Sequence, residues 1–191
     1  MKNILFIRLR LLGDIIFTLP AIQTFKANFP DTRTYYVAEE KFADIASLLP
    51  GIDETIIIPR KMGIRQLLQF RKSIKAKNID TVIDFHSGPK SALLSFLSAA
   101  KQRIGYKTPN RNWAYTHLTP RKFGNTPTHS VVSQARLLEH LGLTIDNLPQ
   151  YPQISPSSAN IPSSLLELLE TGKRMVIHVG AGNRFRDWGI N

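Results

Sequence analysis

Two arginines, a glycine and an aspartate close the first apolar run of the chain, in the order Arg8-Leu9-Arg10-Leu11-Leu12-Gly13-Asp14. The preceding Asn3-Ile4-Leu5-Phe6-Ile7 predicts a buried strand. Arg8 and Arg10 alternate with Leu9, so they are expected on one face near the strand's end. An arginine fork there suits phosphate or carboxylate, although a solvated loop edge would look the same. Asp14 has two readings. Aspartate is among the best helix N-caps. A carboxylate beyond the C-terminal end of a strand is also placed to take a proton from a substrate hydroxyl.

Other groups are less specific. Asp84, His86, Ser87 and Gly88 end another apolar run, but no nucleophile elbow accompanies them, so hydrolysis is not favoured. Lys90 and Ser91 open the following helix, as polar residues often do. Arg60 and Lys61 follow the third strand. Lys107, Arg111, Arg121 and Lys122, with Trp113 among them, suit an anionic ligand or RNA equally. Gly180-Ala181-Gly182 resembles a short phosphate loop, with amides free to approach a pyrophosphate. His129 and His140 do not have metal-ligand spacing, and there is no cysteine, so neither a metal nor a disulfide is expected.

Alternating patterns position these residues. Strands are predicted at 3–8, 33–38, 55–58, 80–85 and 103–106. Helices are predicted at 15–29, 40–49, 63–77, 91–100 and 129–142. Pro20 should delay or kink the first helix. Such alternation predicts an α/β fold, a Rossmann-like parallel sheet with helices on both faces. Residues 107–128 read as a long loop, rich in proline and basic side chains. Residues 149–163, with repeated proline and serine, read as a linker. After a short helix, residues 174–179 read as another strand, and the pattern stops at Asn191. The expected organisation is a domain over 1–150, a linker over 151–172, and the start of a truncated second domain over 173–191.

The chain of 191 residues is 42% hydrophobic and 20% charged, the balance of a globular domain. Lysine and arginine number 25 against 14 acids, a net charge of +11 that favours an anionic partner. No run reaches the roughly 18 apolar residues of a membrane span, and no cleavable leader is legible. A cytoplasmic location is expected.

Five segments in order carry a family resemblance: ILFIRLRLLGDIIFTLPAIQTFKANFP, VAEEKFADI, VIDFHSGPKSALLSFLSAAKQRIGY, HSVVSQARLLEHLGL and VIHVGAGNRFRDW. Together the sequence resembles glycosyltransferase family 9, the ADP-heptose–lipopolysaccharide heptosyltransferases. The resemblance implies the N-terminal, acceptor-side half of a two-domain GT-B enzyme plus the first strand and loop of the donor-side half. It implies transfer of heptose with inversion, with no bound metal or other cofactor. Asp14 would be the catalytic base. Arg8, Arg10, Arg60, Lys61, Arg111 and Arg121 would meet an anionic lipid-linked oligosaccharide at the cytoplasmic face of the inner membrane. Gly13, Gly180, Ala181, Gly182 and Arg186 would meet the nucleotide-sugar. Arg186 stands where the family has lysine, and Gly189 where it has proline. The expectation is a fragment inactive by itself, with no specific nucleic-acid partner. The alternatives are a transferase for another nucleotide-sugar or acceptor, and a noncatalytic basic binding module.

Overall fold

The computed structural model describes residues 1–121, 128–146, 148–149 and 175. The readings placed on the linker, on Gly180, Ala181, Gly182 and on Arg186 fall outside the described residues. Six parallel strands form one sheet: β1 Asn3–Ile7, β2 Arg33–Glu39, β3 Glu54–Ile58, β4 Thr81–Asp84, β5 Gln102–Tyr106 and β6 His117–Thr119. Their order is β3-β2-β1-β4-β5-β6. The helices are α1 Leu12–Ile16, α2 Leu19–Asn28, α3 Ala43–Ser47, α4 Ile64–Ala76, α5 Pro89–Leu97 and α6 Ser130–Ala135.

Alternation along β1 divides the core in two. Ile4 and Phe6 face a cluster completed by α1, α2, α3 and α6, through Ile15, Ile22, Phe25, Ala46 and Ala135. Leu5 and Ile7 face the opposite cluster, completed by Phe70 and Ile74 of α4 and Leu94 of α5. Both faces of the central strand are therefore covered, which is why its sequence is apolar without interruption. Phe6 packs edge-on to Phe25 at 5.5 Å and stacks on Phe85 at 5.7 Å.

The single helix expected over 15–29 is two. Pro20 cannot supply the amide an uninterrupted helix requires, but it fits the first turn of α2. Thr18 at the break donates its hydroxyl to Ile15 O at 2.6 Å. The helix also starts earlier than expected. Leu11, with φ of 71°, precedes α1 and Asp14 lies inside its first turn, so Asp14 is not the N-cap.

The segment read as a loop over 107–128 contains a 3₁₀ turn, Asn112–Ala114, and the short strand β6. Three residues, followed at once by Pro120, are too few to show a strand period. What secures the segment is Tyr115. Its ring lies on Gly105 of β5, where an added Cβ would sit 2.6 Å from Cδ1 and 2.7 Å from Cζ. Its hydroxyl donates to Asp84 Oδ2 at 2.7 Å, at the end of β4.

Gly105→Ala is expected to lower stability by about 1–3 kcal/mol through that overlap. Tyr115→Phe is expected to cost a similar amount, on the order of 1–3 kcal/mol, by removing a donor from a buried carboxylate. Urea unfolding measures both, and an unchanged midpoint in either variant would contradict the packing.

Candidate active site

Strand order reverses between β1 and β4, and in doubly wound sheets ligands bind beyond the carboxyl ends of the strands at such a point. A cavity of about 360 Å³ opens there. Arg8 and Asp14 reach it from beyond β1, Phe85 from beyond β4, Tyr106 from the end of β5 and Arg121 from beyond β6. Ser130, Ser133 and Gln134 of α6, with Thr128 before it, close the far wall.

Two guanidinium groups are fixed by neighbouring carbonyls. Arg8 donates through Nη1 to Phe85 O at 2.8 Å, and its Nη2 forms an ion pair with Asp14 Oδ2. Arg121 donates through Nη2 to His86 O at 3.2 Å and lies over the Tyr106 ring, 4.9 Å from its centroid. The cavity thus holds one carboxylate with a cation on either side of the turn over 85–86. Gly13 precedes Asp14, and a Cβ there would meet nothing within 4 Å. Packing does not demand glycine at that position; its effect is to leave the start of α1 uncovered beside the carboxylate.

The turn that carries both carbonyls is held by Asp84. Its Oδ1 accepts from Ser87 N at 2.8 Å and from His86 N at 2.9 Å. Ser87 has φ of 49°, a left-handed conformation that those bonds stabilise. Ser87 Oγ donates to Asp84 O at 3.1 Å and accepts from Tyr106 N at 3.0 Å. The Asp/His/Ser group is therefore a folding device and not a triad, because the serine hydroxyl is spent on backbone and the carboxylate on amides and Tyr115. Complete burial raises the Asp84 pKa despite these bonds. Burial, followed by the nearby Asp84, raises that of Tyr115.

Positive charge accumulates at the cavity's mouth, and His86 registers it. Burial first, then Arg8, Arg10, Arg121 and Lys90, lower its pKa to about 4. The remaining candidate cations do not line the cavity. Arg10 is exposed. Arg60 and Lys61 are exposed on the loop after β3, whose carbonyls at Pro59 and Arg60 accept from Lys90 Nζ at 2.6 and 3.1 Å. Lys90 also pairs with the buried Glu39 at 3.1 Å, so it fastens α5 to that loop. Arg111 is half-buried near Tyr115 and does not line the cavity. Tyr106, Ser130, Ser133 and Gln134 were not singled out from sequence. Their signal was only that one ends a strand and the others share the helical run after His129. Among the described residues no group of histidines and carboxylates has the geometry to hold a metal.

A cavity at the switch point of a doubly wound parallel sheet, holding a braced carboxylate, is the place where α/β domains of this architecture bind ligands. The profile of glycosyltransferase family 9 (heptosyltransferase) matches residues 67–190, and the chain belongs to that family. It is 26% identical over 191 residues to a putative glycosyltransferase of Haemophilus influenzae, covering 95% of this chain and 55% of that protein. It is 30% identical over 142 residues to lipopolysaccharide heptosyltransferase 3 of Escherichia coli K12, covering 69% of this chain and 40% of that one. The solved structure of E. coli heptosyltransferase WaaC with ADP-2-deoxy-2-fluoro heptose superposes with a TM-score of 0.64 at 25% identity, over 85% of this chain and 56% of that chain. The chain spans about half the length of the relatives it matches.

The lowered His86 pKa sets a pH dependence of folding. In the unfolded chain an imidazole titrates near ~6.5, so on acidification the unfolded state takes up the proton first. The contribution is complete above about pH 6.5 and is lost as pH falls toward 4. His86→Gln is expected to remove roughly 2–3 kcal/mol of the stability lost between pH 7 and 4. Urea midpoints across that range test it; identical pH slopes in both proteins would refute it.

Proposed function

We propose that this chain is the acceptor-side part of an inverting glycosyltransferase that moves heptose from ADP-heptose to the lipopolysaccharide inner core. The observation that carries the reading is the Asp14 carboxylate, braced by Arg8 in a cleft that also presents Arg121. In this reading Asp14 takes the proton of an acceptor hydroxyl. The hydroxyl oxygen attacks the anomeric carbon, the bond from that carbon to the β-phosphate oxygen breaks, and ADP leaves with the electron pair. Arg8 orients the carboxylate, and Arg121 stands where a phosphate or acidic sugar of the acceptor is held. Arg10, Arg60, Lys61 and Arg111 extend the acceptor surface. Gly13 leaves room for the donor, whose phosphates fall to Gly180, Ala181, Gly182 and Arg186, in a second domain that begins near 173 after a linker. Stabilising the leaving diphosphate needs such fixed amides and a cation. The relatives support this assignment: one is a lipopolysaccharide heptosyltransferase, and another is a heptosyltransferase solved with ADP-2-deoxy-2-fluoro heptose. No helix among the described residues is long and apolar enough to cross a membrane, and the basic chain is read as working peripherally at the cytoplasmic face.

In a form of the protein carrying a complete donor half, Asp14→Asn is expected to lower kcat for ADP-heptose about 10²–10⁴-fold with little change in acceptor KM. The 191-residue chain by itself is expected to show no turnover. Transfer within threefold of wild type in the variant would remove Asp14 as the base. A faster reaction with a different nucleotide-sugar would correct the donor.

A further inference from the structure

Helix α4 buries only Phe70 and Ile74 among its residues, with Leu67 half-buried beside them. At about 100° per residue these three occupy a narrow arc against the sheet. The arc beside it is not polar. Ile64 is 79% exposed and Leu68 61% exposed, one turn apart. Arg71, Lys75, Lys72 and Arg65 interleave with them, so that all six side chains emanate from about 120° of the helix surface. None of these four cations joins an ion pair found among the described residues. Residues 60–79 contain no acid. Lys77, by contrast, is turned to Glu54 and the Tyr35 ring. An exposed aliphatic pair inside a stripe of unpaired cations, set beside the arc that packs on the sheet, is the pattern of a helix meeting a lipid interface.

We propose that this stripe of α4 docks the protein on an anionic phospholipid bilayer, with Ile64 and Leu68 entering the headgroup boundary and Arg65, Arg71, Lys72 and Lys75 meeting lipid phosphates. The inference deepens the peripheral membrane reading given above and rests on it for its biological sense. Two observations select lipid over nucleic acid: the apolar members are aliphatic and not stacking rings, and they occupy the centre of the cationic arc. Position agrees. The N-terminal turn of α4 follows β3 through a five-residue loop, Pro59 to Gly63, and so stands at the sheet edge where Asp14 lies. A bilayer against α4 would then present lipid-linked sugars toward that edge.

Vesicle co-sedimentation of the 191-residue chain tests this, using phosphatidylglycerol–phosphatidylethanolamine vesicles that carry no glycolipid, and phosphatidylcholine vesicles as the neutral control. The chain is expected to bind the anionic vesicles only, and less at high salt. Ile64→Ser with Leu68→Ser, and separately Arg71→Gln with Lys72→Gln and Lys75→Gln, are each expected to weaken binding at least tenfold with unchanged circular dichroism and Tm. Lys101→Gln, exposed before β5 at the opposite sheet edge, is expected to bind as wild type. Failure of the unaltered chain to bind, or full binding by the serine variant, overturns the proposal. Tighter binding to a single-stranded RNA, lost equally in both variants, assigns the stripe to nucleic acid and also overturns it. Because the vesicles hold no acceptor, the outcome is independent of transfer: binding by this chain, with no heptosyl transfer by a form carrying a complete donor half, would leave the docking face standing and refute only the transferase reading.

Discussion

Everything at the switch point hangs on one buried carboxylate. Asp84 binds two consecutive amides with one oxygen and the Tyr115 hydroxyl with the other, and it does so with no exposure to water. An uncompensated charge there would be costly; three donors and the left-handed turn at Ser87 compensate it. That turn aims the carbonyls of Phe85 and His86 outward, and those carbonyls fix Arg8 and Arg121. Arg8 in turn fixes Asp14. The geometry of the proposed base is thus set from β4, the strand next to its own, through a chain of hydrogen bonds in which each donor has one orientation.

The same carboxylate explains why an edge segment belongs to the core. β6 is three residues long and contributes little pairing of its own. Tyr115 anchors the stretch before it by filling the space over Gly105 and satisfying Asp84, and Arg121 emerges just after it against the Tyr106 ring. A cleft-lining cation is therefore delivered by a segment whose own sequence gives no sign of order.

The parallel sheet and its two helical layers were legible because β1 is apolar on both faces and helical periods recur between strands. Asp14 and Arg8 were legible as a pair only in type. The place of Asp14 inside the first turn, which rules out the cap reading, follows from where α1 begins, and Leu11 at φ of 71° gives no sequence signal for that. Asp84 shows the reverse error in kind: a residue type suited to chemistry is used for structure, because its neighbours are amides and a phenol contributed from 31 residues away. Spacing along a chain records local partners, and Tyr115 is not local. Arg111 and Arg121 share one basic segment, yet one lies near Tyr115 and the other lines the cavity, a difference that depends on the course of the intervening 3₁₀ turn and β6.

Net charge alone treats the cations as equivalent, and the structure separates them by what they face. Lys26 is paired with Asp53, Lys77 with Glu54 and Lys90 with Glu39, so these fasten elements together and add little field outside. Arg8, with a largely buried side chain, and Arg121, exposed but held over the Tyr106 ring, line a concave site, where fixed donors can act on a ligand without reorganising. Arg65, Arg71, Lys72 and Lys75 are exposed on the outer side of a helix, where each is screened within about 8–10 Å and only a surface of many opposite charges would sum their effect. A small ligand gains from the first arrangement and an extended one from the second. The two arrangements also belong to different layers: α6, which walls the cavity, packs on one face of the sheet and α4 on the other.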